Sequence, residues 1–447
     1  MSYPSKPSIV AIVGRPNVGK STLFNRYAGR RRVLVEDEPG ITRDRIIEDV
    51  EVEGRRVLLV DTAGLDTAVD PGLPTAVQRQ ARGAIADADA ILFVVDGKAG
   101  RVPEDETVAR ILHKTSKPVA CIVNKIDHPK HTTRLDDFHT LGFAQTYAVS
   151  AEHGGGAWNA LEALVAELPE TPIEPEEGGG LRIAVVGRPN VGKSSLVNRL
   201  VGDERVVVSD VPGTTRDAID TRIVHGDSVY TIVDTAGLRR PGRRTRTAER
   251  GSALMAVRSL ERAQVALLVI DGSEGATDQD AHVARLVRER GCAAVVLANK
   301  WDCVRGEGDG RADAVREELR HRLRFIADVP VLSISAKTGS GVHRIFPLVE
   351  RVASAGERRI STAELNRWLR DVVARHEPAM AQRGSRRRPL KFFYATQAAV
   401  RPPTFVLFCT DPAAVQTSYR RFLENRLREA FDFAGTPLRL RLRARSE

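Results

Sequence analysis

The chain has 447 residues, 42% of them hydrophobic and 28% charged, with a formal net charge of +10. That length suggests about three folded domains. The sequence excludes a membrane span, because no apolar run approaches ~20 residues, and it excludes a disulfide or zinc scaffold, because Cys121, Cys292, Cys303 and Cys409 form no C-x-x-C pair. The basic excess favours an acidic partner, nucleic acid first, with an arginine-solvated surface as the alternative. Met1–Pro7 is short, polar and runs straight into a strand, unlike a signal peptide, so the expected compartment is the cytoplasm.

From the N-terminus, Ser8–Val13 is a β-branched apolar run, a strand suited to a sheet covered on both faces. It leads into Gly14, Arg15, Pro16, Asn17, Val18, Gly19, Lys20, Ser21 and Thr22, the G-x-x-x-x-G-K-[ST] pattern between a strand and a helix. Glycines there let successive backbone N–H groups wrap phosphates, and the helix N-terminus adds positive dipole. Lys20 would reach the β- and γ-phosphates, and the Ser21 hydroxyl would ligate magnesium. Thr42 lies in the polar segment that follows, where a threonine can ligate magnesium and sense the γ-phosphate. The strand Val57–Val60 ends at Asp61, the expected magnesium carboxylate, and Gly64 follows with an N–H free to approach a γ-phosphate. Strands Ala90–Val95 and Val119–Val123 come next, the latter running into Asn124, Lys125 and Asp127. The Asp127 carboxylate can accept two hydrogen bonds from guanine, a donor pair that adenine lacks, so N-K-x-D selects guanine. Asn124 would orient the loop and contact the base, Lys125 would pack on its face, and Ser150-Ala151 would offer a backbone N–H to the guanine carbonyl.

After an acidic, Pro- and Gly-rich linker at 169–181, the pattern begins again at an offset of 173. Strand Arg182–Val186 leads into Gly187, Arg188, Pro189, Asn190, Val191, Gly192, Lys193, Ser194 and Ser195. Thr215 is the equivalent of Thr42, because Thr214 aligns with Ile41. Strand Val229–Val233 ends at Asp234, followed by Gly237. Strands Val265–Ile270 and Ala293–Leu297 lead to Asn299, Lys300 and Asp302 at an offset of 175, and Ser335-Ala336 repeats Ser150-Ala151. One domain therefore occurs twice, at 1–168 and 182–353. The copies differ after the D-T-A-G motif: Leu65–Gly72 is acidic and polar, Leu238–Arg246 strongly basic. The basic loop either reports nucleotide state to RNA or the third domain, or is simply solvated.

Residues 354–447 carry no further motif of this kind. Leu365, Trp368, Leu369, Val372 and Val373 share one face of a predicted helix Thr362–Arg375. Arg383–Pro389 reads as a basic turn, and Leu390–Thr396 and Thr404–Cys409 as strands. Ser418–Phe431 reads as a helix with Tyr419, Phe422, Leu423, Leu427 and Phe431 on its core face. In the last strand, Leu438–Arg443, a buried leucine face alternates with an exposed arginine face.

Five motifs in order, twice over, resemble the translation-factor-type bacterial GTPases, and the duplication plus a small C-terminal domain is similar to the EngA/Der family across essentially the whole chain. The resemblance implies an α/β architecture of two P-loop GTPase domains, mostly parallel sheets flanked by helices, plus a small α+β KH-like domain. It implies GTP hydrolysis at two GTP/GDP sites with magnesium, and a switch protein that binds rRNA and assists maturation of the large (50S) ribosomal subunit. The expected protein is a cytoplasmic monomer with no DNA or membrane partner. Leu65 and Leu238 stand where signalling GTPases place a water-orienting glutamine, so intrinsic hydrolysis should be slow. Relatives with this substitution use potassium held by a phosphate-loop asparagine, which puts Asn17 and Asn190 forward as potassium ligands, against a purely loop-bracing role. The GXXG loop of ordinary KH domains is absent, since Gly384 and Gly435 stand alone. Docking on structured rRNA through Arg386, Arg387, Arg388, Arg439, Arg441 and Arg443, or packing on a GTPase domain, are the two readings left. A nucleotide-stabilised RNA-binding scaffold with little turnover is the alternative to the switch.

Overall fold

The computed structural model describes residues 7–30, 47–61, 85, 88–128, 135–169, 180–202, 206–208, 220–235, 252–306, 309–326, 328–378, 381–383 and 386–444. Linker residues 170–179, Thr42, Gly64, Leu65–Gly72, Thr215, Gly237 and Leu238–Arg246 lie outside them. One compact unit centres on the first copy and a second holds the second copy together with the C-terminal region.

In the first unit the strands are β1 (Ser8–Val13), β2 (Ile47–Val52), β3 (Arg55–Asp61), β4 (Ala90–Asp96), β5 (Val119–Asn124) and β6 (Gln145–Ala148), in the order β2-β3-β1-β4-β5-β6. β2 is antiparallel to β3, and the remaining pairs are parallel. Helices α1 (Lys20–Arg30), α2 (Pro103–Leu112), α3 (Leu135–His139) and α4 (Ala157–Ala166) connect them. Val10, Ile12, Leu92 and Ile122 pack against Leu23 and Tyr27 of α1 and Leu161 and Leu164 of α4. Because parallel strands are covered on both faces, their residues are apolar in unbroken runs, which is why the sequence exposed them. The first run matches β1, while β3, β4 and β5 each carry one polar residue beyond the apolar run at the C-terminal edge: Asp61, Asp96 and Asn124. β2 escaped the reading because acidic residues interrupt its apolar ones. A tight turn at Glu53-Gly54, both at positive φ, joins it to β3.

In the second unit β7 (Leu181–Val186), β8 (Val206–Val208), β9 (Thr221–His225), β10 (Ser228–Ile232), β11 (Val265–Asp271), β12 (Ala293–Asn299) and β13 (Val331–Ser333) run β13-β12-β11-β7-β10-β9-β8. Helices α5 (Lys193–Val201), α6 (Ser252–Arg262), α7 (Asp278–Glu289), α8 (Trp301–Gly306), α9 (Asp309–Arg322) and α10 (Ile345–Glu357) accompany them. β10 stops at Ile232, one residue short of the expected end, and Val233 starts a turn.

The C-terminal region forms α11 (Thr362–Arg375), β14 (Ala381–Arg383), β15 (Arg386–Arg388), β16 (Phe392–Ala399), β17 (Thr404–Cys409), α12 (Thr417–Phe431) and β18 (Arg439–Ala444). β16 pairs antiparallel with β17, and β18 pairs parallel with it, a connection that needs the α12 crossover. Ala395, Phe405, Leu407 and Leu440 on one sheet face meet Leu365, Leu369, Leu423 and Leu427 from the helices. The aromatic face of α12 is therefore core, as read. The basic turn at 383–389 is instead the end of a short hairpin, β14 paired with β15.

The expected boundary at Ala353 falls inside α10, which continues to Glu357. The loop after α12 docks onto the sheet of the second copy. Gly435 N–H donates to Asp328 O (3.0 Å), and its carbonyl accepts from Ala294 N–H (2.7 Å). Arg428 reinforces the dock, donating to Thr436 O and pairing with Asp328, each at 2.7 Å. Gly435 has φ +70°, and a Cβ there would sit 2.8 Å from Ala294 O and 2.9 Å from both Val352 methyls. Gly435→Ala should therefore cost about 2 kcal/mol or more in denaturant unfolding, combining a left-handed backbone with a rigid clash.

Candidate nucleotide sites

Each phosphate loop is built identically. Lys20 is buried, and its Nζ donates to Gly14 O (2.9 Å) and Arg15 O (2.8 Å). Lys193 Nζ donates to Gly187 O and Arg188 O, both at 2.7 Å. Each lysine is thus tethered across its own loop. Burial pushes both ammonium groups down, Lys193 to about 8. Asn17 (φ 65°) and Asn190 (φ 63°) turn the loop through the left-handed region, and neither side-chain amide has a hydrogen-bond partner among the described residues. Gly19 and Gly192 cannot carry a side chain, because a Cβ would lie 2.2 Å from Asn124 Nδ2 and 2.3 Å from Asn299 Nδ2 respectively.

Those asparagines close each site. Asn124 Nδ2 donates to Val18 O (2.8 Å), and its Oδ1 accepts from Ala151 N–H (2.9 Å). Asn299 makes the same two bonds, to Val191 O (2.8 Å) and from Ala336 N–H (2.9 Å). Both side chains are 2% exposed. They tie the phosphate loop to the Ser-Ala loop, and the Ala151 and Ala336 N–H groups expected to meet guanine have a protein partner. Lys125 Nζ donates to Asn17 O (2.9 Å) and to Asp96, and Lys300 pairs with Asp271.

The carboxylates expected to read guanine differ. Asp127 accepts from Ser150 Oγ (2.8 Å) and pairs with Lys98 Nζ (2.7 Å). The Lys98 bond, then the Ser150 bond, holds its carboxyl below the usual range. Asp302, held down chiefly by the Ser335 hydroxyl, has one oxygen, Oδ1, buried without a partner among the described residues. The second-copy counterpart of Lys98 is Ser273, whose hydroxyl and N–H bond Asp271 instead.

The carboxylates expected to hold magnesium differ more. Asp61, buried at 4% exposure, accepts from Ser21 Oγ at 2.6 Å, so two oxygen donors lie side by side as magnesium requires. Asp234 is held by other partners: Ser259 Oγ (2.7 Å) and Arg262 Nη1 (3.0 Å). Ser194 makes no hydrogen bond to it. Thr22 and Ser195, the next loop residues, are exposed on the first turns of α1 and α5.

Three pairs of supporting contacts join residues that recur at the repeat offset. Arg15 and Arg188, placed among the nucleotide contacts, direct their guanidinium groups onto Asp105 (3.4 Å) and Asp280 (3.3 Å), fully buried carboxylates at the starts of α2 and α7. Asp280 also completes a capping box with Thr277. Arg26 and Arg199 donate to Ala151 O (2.5 Å) and Ala336 O (3.2 Å), holding the Ser-Ala loops. Asp96 and Asp271 end β4 and β11. Burial pushes their carboxyl groups up, but the bonds from Lys125 and Lys300, joined by the N–H groups of Lys98 and Ala99 at the first and by Ser273 at the second, together hold both low. The repeated Asp-Gly after an apolar run was the available signal.

The family described as 50S ribosome-binding GTPase matches residues 9–125 and 182–300, and the family described as KH-domain-like of EngA bacterial GTPase enzymes, C-terminal, matches residues 359–443. The chain is similar to GTPase Der of Moorella thermoacetica, 47% identical over 432 residues and covering 97% of each chain. It is also similar to GTPase Der of Symbiobacterium thermophilum, 49% identical over 443 residues, covering 98% of this chain and 93% of the other. GTPase Der of Syntrophotalea carbinolica is 46% identical over 440 residues, covering 98% and 99%. Among the described residues no helix is long and apolar enough to cross a membrane.

Substituting Lys98→Ser, the residue of the second copy, should tighten GDP at the first site about two- to fivefold by removing an exposed competitor for Asp127. Asn124→Ala or Asn299→Ala should weaken nucleotide about tenfold or more at the altered site alone. Fluorescent-GDP titrations read both.

Proposed function

The chain belongs to the EngA/Der family of GTPases, and from that premise we propose that it carries two independent guanine-nucleotide sites and uses them to time its docking on the large (50S) ribosomal subunit during that subunit's maturation. It is a GTP hydrolase of a ribosome-binding family. The observation that carries the two-site reading is the duplicated asparagine bridge, which joins a phosphate-wrapping loop to a guanine-reading loop in both copies.

In each site the loop Gly14–Thr22 or Gly187–Ser195 would take the phosphates on its backbone N–H groups, and Lys20 or Lys193 would turn from its tether to the β- and γ-phosphates. Asp127 and Asp302 would accept the guanine edge, Lys98 yielding at the first site. Ser21, Thr42 and Asp61, and Ser194, Thr215 and Asp234, would hold magnesium, which neutralises charge on the transferring phosphoryl group. Gly64 and Gly237 would meet the γ-phosphate. With Leu65 and Leu238 in place of a water-orienting glutamine, turnover is slow, and the unpartnered amides of Asn17 and Asn190 support a potassium requirement. The protein acts in the cytoplasm as a monomer, with rRNA as its partner and neither DNA nor membrane.

Asp127→Asn and Asp302→Asn should each abolish guanine-nucleotide binding at one site, and hydrolysis in potassium should exceed that in sodium about tenfold or more, for one charge-stabilising contact. Sedimentation of both variants with ribosomal subunits, under GTP analogue and GDP, tests the docking. Absence of the unaltered protein from every ribosomal fraction in all nucleotide states would overturn it.

A further inference from the structure

Residues 354–447 hold 19 Lys/Arg against nine Asp/Glu, a net +10 that equals the excess of the entire chain. Within that region the three strands β16, β17 and β18 contain no acidic residue. Their helix-facing side is the core. On the opposite side the register sets Tyr394 beside Phe408 and Phe408 beside Arg443, and the next row sets Thr396 beside Val406 and Val406 beside Arg441. Tyr394 and Phe408 stack with ring centroids 4.2 Å apart and 16° between planes. Phe393 and Tyr394 are 39% and 42% exposed, two of the four large apolar side chains so exposed among the described residues. Arg441 and Arg443 form no ion pair among the described residues. The hairpin of β14 and β15, with Arg386–Arg388 on its second strand, joins β16 through three residues, so Arg388 lies within about 14 Å of Phe392 by chain length alone.

An aromatic ring backed by a second ring and flanked by unpaired arginines suits a flat, apolar ring attached to a polyanion. We propose that this sheet face is a stacking platform for unpaired RNA: Tyr394, supported by Phe408, takes a base, while Arg441, Arg443 and the basic hairpin take the phosphates. It would supply the single-strand contact that a missing GXXG clamp otherwise removes. This rests on the ribosomal reading but is separable from it.

The test uses the full chain, a labelled 12-nucleotide oligouridine and a 12-base-pair RNA duplex. Tyr394→Ala should weaken oligouridine binding about tenfold, and Tyr394→Phe should not. Arg443→Gln should flatten the salt dependence by about one unit of slope. Unaltered GTPase rates in the absence of RNA exclude misfolding. Equal oligouridine affinity for Tyr394→Ala and the unaltered chain, or preference for the duplex, overturns the platform. So does a Tyr394→Ala change confined to nucleotide affinity of the first GTPase domain, which would mean that domain covers the face. Ribosome co-sedimentation of the unaltered chain reports separately on the ribosomal reading.

A second inference rests on the other site and on its internal comparison. Arg262 of α6 bonds Asp234 through Nη1 and Asp220 through Nη2, Ser259 bonds the other Asp234 oxygen, and Asp234 N–H donates to Asp220 (3.0 Å) with Asp234 at φ 56°. At the equivalent first-copy positions the sequence has Ile47, Ala84 and Asp87 for Asp220, Ser259 and Arg262, and there Asp61 sits with Ser21. We infer that Arg262 is a positioning residue that holds Asp234 off its magnesium-binding geometry, so the second site demands more magnesium than the first.

In the full chain carrying Asp127→Asn to silence the first site, Arg262→Ala should lower the magnesium concentration for half-maximal GDP retention about tenfold, Arg262→Lys much less, and chelator should erase the difference. Ser259→Ala should shift the midpoint in the same direction, which covers an unstable Arg262 variant. An unchanged midpoint, or equal loss of GDP affinity with and without magnesium, overturns the inference.

Discussion

Each nucleotide site depends on one buried side-chain amide. Asn124 and Asn299 stand at the ends of the fifth strand of one sheet and its counterpart in the other, 2% exposed, with both polar ends committed: one to the phosphate loop, one to the Ser-Ala loop. A buried amide missing either partner would cost about 1–3 kcal/mol, so the two loops are held at a fixed separation. The glycine below each amide is required by the same contact, since any Cβ would occupy the amide nitrogen's place. Phosphate recognition and base recognition are thereby parts of a single rigid frame at the carboxyl edge of a parallel sheet, where strand order leaves a crevice.

The frame is copied, but the charged groups around it are not. The first site has a lysine on the carboxylate expected to read guanine and a serine hydroxyl on the carboxylate expected to hold magnesium. The second has an unpartnered oxygen on the guanine side and an arginine on the magnesium side. The obstacles therefore sit on opposite halves of the ligand. Duplication preserved the backbone geometry that any guanine nucleotide needs and let the two sites diverge in what must be displaced to fill them.

Polar contacts join the C-terminal region to the second copy. Gly435 inserts between Ala294 and Val352, and Arg428 ties the same loop to Asp328. The dock lies at the amino end of β12, while Asn299 and the nucleotide loops lie at its carboxyl end. The sheet therefore separates the basic domain's anchor from the phosphate loop.

Much of this was legible in the chain. Unbroken apolar runs marked the parallel strands, because strands covered on both faces have no polar side to interrupt them. The phosphate loops and N-K-x-D motifs were legible because their work is done by backbone amides and short side chains whose convergence follows from local spacing. What the sequence left open was decided by partners distant along the chain. The partner of the Arg15 guanidinium, Asp105, lies 90 positions away, and the Ala151 amide reads as free until Asn124 claims it. Asp61 and Asp234 are the same letter in the same motif, yet one faces a serine and the other an arginine. A long-range side-chain commitment depends on which elements are packed together, and only the tertiary structure fixes that.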